Sequence, residues 1–333
     1  MSNQYRIFGS ELSPYSVKVR SYFRYKHIPH EWVLRNPSNH DEFQRYAKLP
    51  LIPLVITPDG RGLQDSTPII EQMEAVHPDP PVHPADPTLR FLSALIEEYG
   101  DEWGNKPMFH YRWWYEPDQR SAAIRLARDN APGVDDAGLE SLAAAIRERM
   151  MPRISFVGSS AATKDTIERS FHRQLEILER HLASRPYLFG GRPVFADFGL
   201  FGQLYQCSSD PTPAAVMRAA SPRVLAWIAR MLEPSAEGEL ERWDALAPTL
   251  EPLLRQEIAG LFLPWSAANA RAIAAGEREM TVELEGRTWT QTAQKYHARS
   301  LGVLKGRWAE VSDRSRLEKI LGETGCARWL AAS

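Results

Sequence analysis

The first 80 residues alternate short apolar runs with amphipathic stretches, and this limits them to a small mixed sheet with helices packed on it. Residues 5–8 form a short apolar strand that Gly9-Ser10 ends. Pro14 then opens a helix with Ser13 as its cap, because a proline at the first helical position gives up no N–H that the helix needs. Val17, Tyr22, Phe23 and Tyr25 supply the apolar stripe of that helix. "EWVL" reads as a second strand and "DEFQRYAK" as a short helix. "IPLVIT", the turn Pro58-Asp59-Gly60 and "RGLQ" read as a tight hairpin, and Ser66 caps a helix through "TPIIEQMEAV". The predicted order is β-α-β-α-β-β-α.

"HPDPPVHPADP" packs prolines into a linker, and beyond it the patterns are helical. Leu92, Leu95, Ile96, Tyr99 and Trp103 recur at three and four, as do Ile167, Phe171, Leu175, Leu178 and Leu182. "ADFGLFGQLYQ" is apolar nearly all round and belongs at the centre of a bundle. A second proline-bearing region, 233–252, suggests another boundary. The expected division is residues 1–80, 88–232 and 233–333, the last mostly helical with a hairpin that turns at Glu285-Gly286.

A net charge of −2 gives no electrostatic reason to expect nucleic acid or an anionic membrane as partner. No apolar run approaches the roughly 18 residues that span a bilayer. The N-terminus lacks the order of a signal peptide, and the two cysteines, Cys207 and Cys326, lie outside any pairing motif. A cytoplasmic protein is the expectation. The histidines His27, His30, His77 and His83 have no acid or cysteine at ligand spacing, so no metal is expected.

Three short motifs carry chemistry. Ser13-Pro14-Tyr15-Ser16 stands where a redox protein of this shape places Cys-Pro-Tyr-Cys. A helix N-terminus favours an anion such as a thiolate, and a serine hydroxyl can donate to it. With no cysteine there, any thiol must arrive on a ligand; alone, Ser13 reads as a plain cap. In "LIPLVITPDG", a cis Ile52–Pro53 bond would turn the Ile52 backbone outward toward an extended peptide. In "LQDSTPII", Asp65 and Ser66 meet at a helix start, where the acid can take an ammonium and the hydroxyl with the amide a carboxylate.

In this order the three motifs resemble the N-terminal domain of cytosolic glutathione transferases of the serine type. "RPYLFGGRPVFADFGLFGQLYQ" is similar to the family's core helix with its buried capping aspartate, here Asp197. The resemblance implies an α/β thioredoxin-like N-terminal domain with a mixed four-stranded sheet, and an all-α C-terminal domain. It implies that Ser13 activates the glutathione sulfur, that Ile52 and Pro53 pair with the cysteinyl backbone, and that Asp65 and Ser66 hold the γ-glutamyl end. Leu51 stands where many members carry a residue that reaches the glycyl carboxylate, leaving Lys48 or Arg35 as substitutes. The family's helix cap is replaced by Val194, whose N–H Asp197 can still accept.

The aromatic run "KPMFHYRWWYEPDQR" corresponds to the family's cleft region, with Tyr15, Phe109, His110, Tyr111 and Trp114 as the expected second-substrate pocket. His110, Tyr111 or Arg112 would polarise an apolar electrophile there. A homodimer is expected from the same resemblance. The leading function is transfer of an alkyl or aryl group to glutathione as co-substrate. Two alternatives stay open: a non-catalytic binding protein on the same fold, and a glutathione-dependent isomerase or dehalogenase. The tail's Trp289, Tyr296, His297 and Trp308 read first as packing residues, with capping of the cleft or a dimer contact as the alternatives.

Overall fold

The computed structural model describes residues 4–312 and 314–331. Strands β1 (Tyr5–Gly9), β2 (His30–Leu34), β3 (Leu54–Ile56) and β4 (Gly62–Gln64) form one sheet in the order β2-β1-β3-β4. β1 pairs parallel with β2 and antiparallel with β3, which pairs antiparallel with β4. Helices α1 (Pro14–Tyr25), α2 (His40–Tyr46) and α3 (Ser66–Val76) interleave with the strands in the order expected from the sequence. This is a thioredoxin-like domain.

Asp86 caps the next helix by accepting from the N–H of Leu89 at 3.0 Å, with Pro87 in its first turn. A helical domain follows: α4 (Pro87–Glu102), α5 (Asn105–Trp114), α6 (Glu116–Asn130), α7 (Asp136–Met150), α8 (Lys164–His181), α9 (Phe195–Ser209), α10 (Pro211–Ala220) and α11 (Pro222–Leu232). α9 is buried almost throughout and lies against α1, α4 and α5. Its N-terminus is organised by Asp197, which accepts from the N–H groups of Leu188 (2.9 Å) and Val194 (2.9 Å) and from the indole of Trp227 (3.0 Å). The side chain of Asp197 therefore does work that Val194 cannot.

The segment beyond 232 stays packed on this body. α12 (Trp243–Pro252) runs through a π-helical stretch, Leu253–Phe262, into α13 (Leu263–Ala275). Pro248 and Pro252 lie inside the helix rather than breaking it, and the π-helical stretch follows directly after Pro252. A hairpin, β5 (Glu279–Leu284) and β6 (Arg287–Thr292), turns at Glu285 and Gly286, both with positive φ. Helices α14 (Lys295–Glu310), α15 (Ser315–Thr324) and α16 (Ala327–Leu330) close the chain, and α14 lies along α4. One cluster of buried apolar side chains runs from Ile7 through α9 to Leu330. No helix among the described residues is long and apolar enough to cross a membrane.

Candidate functional site

The sheet register gathers the three motifs. Phe8 lies opposite Leu54, and Leu54 opposite Gln64, so one row of residues crosses the sheet at the end of β1. Just past that row come the loop to Ser13, the Ile52–Pro53 step and the Asp65-Ser66 junction. Motifs spread over more than fifty residues thus share one end of the sheet.

Ser13 caps α1: its Oγ accepts from the N–H of Ser16 at 3.2 Å. The hydroxyl proton has no acceptor among the described residues. The preceding loop is held from the helical domain, because Arg112 donates to the carbonyl of Leu12 (2.9 Å) and Gln206 to that of Glu11 (2.7 Å).

The Ile52–Pro53 peptide is cis, and the N–H and C=O of Ile52 have no hydrogen-bond partner among the described residues. Gln64 organises the strand's approach. Its amide accepts from the N–H groups of Lys48 (2.7 Å) and Leu49 (3.0 Å) and donates to the carbonyls of Leu49 (2.8 Å) and Leu51 (2.7 Å). Gln64 does not stand out in the sequence; its only local signal is a lone amide at the end of a strand. Lys48 is exposed and its ammonium has no ion pair among the described residues, whereas Arg35 is committed to Asn36, Asn39 and His40.

Asp65 has φ 74°, in the left-handed region, and its side chain does not cap α3. The first N–H groups of α3 are therefore not answered by the residue in the cap position. Ser66, expected as the cap, is instead the first helical residue; it is buried, and its hydroxyl donates to Asp101 Oδ2 at 3.4 Å. Behind it, the buried ammonium of Lys18 donates to Asp101 Oδ2 (2.6 Å) and Thr67 Oγ1 (3.0 Å) and pairs with Glu97. This network joins α1, α3 and α4 beneath the junction.

Burial raises the pKa of Asp65, while Lys18 and the Tyr296 hydroxyl pull it down. Burial, with nearby carboxylates, also raises Glu98 and Glu102. Glu102 is hydrogen-bonded to His297, whose imidazole pKa burial lowers to about 3.

The aromatic run is divided between core and surface. His110 is fully buried, with Nδ1 on Ser159 (2.7 Å) and Nε2 on Glu168 (3.1 Å), so both ring nitrogens are used. Tyr111 is buried against Phe171, with ring centroids 5.1 Å apart. Arg112 is buried on Asp210 and Gln206 and offers nothing to a substrate. Phe109 and Trp114 are half-buried, and Trp114 lies beside the His110 ring. Tyr15 donates to the carbonyl of Asp101 at 3.1 Å and faces the helical domain.

A cavity of about 340 Å³ opens beside Asp65, lined by α3, α4 and the tail helix α14. Tyr296 donates to both carboxylate oxygens of Asp65 at 3.3 Å. Trp289 and His297 are in the core as expected, but Tyr296 reaches the site. Among the described residues no group of three or more His, Cys, Asp or Glu is arranged to hold a metal ion.

Residues 7–81 match the model of the glutathione S-transferase N-terminal domain, and residues 142–230 that of the glutathione S-transferase C-terminal domain. Among solved structures, the beta-etherase LigF from Sphingobium sp. strain SYK-6 is 20% identical with a TM-score of 0.50, over 68% of this chain and 94% of that one. The Tau class glutathione S-transferase from mango, Mangifera indica, is 15% identical with a TM-score of 0.44, over 74% and 97%. A glutathione S-transferase from Methylobacterium radiotolerans, in complex with glutathione sulfonate, is 22% identical with a TM-score of 0.39, over 72% and 98%. No curated protein matches the sequence. A thioredoxin-like sheet carrying Ser13, a cis Pro53 and the Asp65-Ser66 junction at one end, followed by a helical domain centred on Asp197, agrees with both domain matches: the chain belongs to the glutathione transferase superfamily.

Proposed function

We propose that the protein binds glutathione at this end of the sheet and activates its thiol for attack on an apolar electrophile. The observation that carries the reading is the free hydroxyl proton of Ser13, on the residue that caps α1, at the same sheet end as the unpaired Ile52 backbone and Asp65. Ile52 would pair with the cysteinyl backbone, with Pro53 fixing its approach. Asp65 would take the γ-glutamyl ammonium, and Ser66 with the N-terminus of α3 its carboxylate. Lys48 has the free charge to reach the glycyl carboxylate. The Ser13 hydroxyl and the dipole of α1 would then stabilise a thiolate, and each 1.4 kcal/mol or so of such stabilisation lowers the thiol pKa by about one unit. Tyr15, Phe109 and Trp114 are the aromatic residues of the expected pocket that keep some exposure to a second substrate.

The test is calorimetric titration with glutathione, followed by ultraviolet titration of the bound thiol. Binding with a lowered thiol pKa, restored toward the free value in Ser13→Ala, supports the reading. An unchanged thiol pKa in Ser13→Ala removes Ser13 from the mechanism, and no binding at millimolar glutathione overturns the whole reading. A second reading, a binding protein without turnover, draws on the Tyr296 contact to Asp65; it requires glutathione binding but no product with any electrophile in a panel. A homodimer belongs to the proposal as well, and sedimentation equilibrium of the full chain tests it.

A further inference from the structure

The cavity beside Asp65 is built by two distant parts of the chain. Tyr296, Arg299, Ser300, Val303, Leu304 and Arg307 recur at three and four along α14 and present one face of it to the cavity. The opposing wall comes from the start of α3 and from α4. The helix is fixed there by polar contacts along its length: His297 on Glu102, Ser300 on Glu98, and Arg307 on Glu71 at 2.7 Å. Leu301 and Leu304 bury its apolar side.

Most charged groups around the cavity are spent on each other. Glu71 is paired with Arg307, Glu97 and Asp101 Oδ2 share Lys18, and Glu102 is hydrogen-bonded to His297. Three groups are left with capacity. Asp65 has only the shared phenol hydrogen bond of Tyr296. Asp101 is 5% exposed, and its Oδ1 is buried without a partner. Arg299 is exposed; its guanidinium carbon lies 5.9 Å from the Tyr296 ring centroid, and it makes no ion pair or hydrogen bond among the described residues. Asp65 and the free Oδ1 of Asp101, facing the Arg299 guanidinium across a cavity, fit a ligand that carries an ammonium and a carboxylate close together.

We propose that the C-terminal extension completes the amino-acid end of the glutathione site: Arg299 binds the α-carboxylate, together with the N-terminus of α3, and Tyr296 holds Asp65 in place for the α-ammonium. The inference rests on the glutathione-binding reading above. Tyr296 is suited to the role because burial and the nearby carboxylates push its phenol pKa up, so it stays a donor. A guanidinium matches a carboxylate in a two-pronged geometry, which an ammonium at the same place would not.

The test is calorimetry on the full chain with three ligands: glutathione, its analogue lacking the α-carboxyl group, and its analogue lacking the α-amino group. Arg299→Met is expected to weaken glutathione binding about 10-fold and leave the affinity for the descarboxy analogue unchanged. Tyr296→Phe is expected to weaken glutathione severalfold and leave the desamino analogue unchanged. Arg299 is exposed and Tyr296→Phe removes only a hydroxyl, so melting curves matching the unmodified protein are expected. Unchanged glutathione affinity in both variants, or equal losses with all three ligands, overturns the role of the extension while the glutathione site stands. Failure of the unmodified chain to bind glutathione overturns both.

Discussion

The guanidinium of Arg112, on α5, donates to the carbonyl oxygen of Leu12 across 2.9 Å, so the helical domain holds the residue that precedes Ser13. The same side chain binds Asp210 at 2.8 Å and Gln206 at 2.7 Å, and neither Arg112 nor Asp210 is open to water. Without Arg112, Asp210 keeps Arg125 as its cation, but the buried Gln206 amide oxygen and the Leu12 carbonyl lose their donor, at a cost of about 1–3 kcal/mol. Arg112→Ala should therefore lower the melting temperature. It should also speed hydrogen exchange at the amides of residues 12–16, because the loop loses its anchor. Arg112→Lys keeps the charge but cannot make all three contacts, so it should fall between. Protection of those amides equal to the unmodified protein would show that the loop is held by other means.

Gln64 makes four hydrogen bonds to the backbone of residues 48–51, just ahead of Ile52. Leu49 and Leu51 are exposed there, so packing does little to hold the loop. Gln64→Ala should weaken glutathione binding severalfold with little change in melting temperature, because the lost bonds are at the surface and water replaces them. A large drop in stability with unchanged affinity would contradict this.

Gly202 on α9 lies against the first turn of α1. A Cβ there would sit 2.5 Å from the carbonyl oxygen of Pro14, a backbone atom that cannot move without moving α1. Gly202→Ala should destabilise the fold by about 1–3 kcal/mol. It should also weaken whatever Ser13 contributes, read as a rise in the pKa of the bound glutathione thiol. A variant with native stability and native thiol pKa would rule out this coupling.

Burial pushes the pKa of Asp197 up to about 7 from 3.8, against the pull of its N–H partners. Between those values the folded chain holds a proton that the unfolded chain has released. Its contribution to stability is present below about pH 4 and lost as the pH rises through 7. The melting temperature should fall across that window, and Asp197→Asn, less stable overall, should show a shallower fall. An unaltered slope would assign the pH dependence to other groups.

Lys106 is buried against the indole of Trp265, its Nζ 3.6 Å from the ring centroid, with Trp103 and Trp289 nearby. Burial lowers its pKa to about 7, although Glu102 pulls it up. Between about 7 and 10.5 the unfolded chain binds the proton and the folded chain does not, so this residue adds stability as the pH rises through that range. Lys106→Met should melt higher at pH 6 and lose that rise. If it instead melts lower at pH 6, the indole–ammonium contact outweighs the cost of burying the charge.

What the sequence by itself determined is the local grammar. Pro14 after Ser13, the turn at Asp59-Gly60 and the Glu285-Gly286 turn each act through backbone preferences within a few residues, and the structure places helix and hairpins there. Asp197 was legible for the same reason, because a carboxylate three residues into a helix can reach back to the N–H of Val194. The fate of the aromatic run was not legible. Periodicity says that His110 and Tyr111 share an apolar helix, but only the packing of α8 and Ser159 against that helix consumes them. The prolines at 248 and 252 argue for a break, and it is the tertiary packing of the π-helical stretch that carries the helix through. The contact of Tyr296 with Asp65 joins residues 231 apart in sequence, and no local preference encodes such a pairing. The chain specifies its turns and caps residue by residue, whereas the partners of a side chain at the site are chosen by which distant surfaces the whole core brings together.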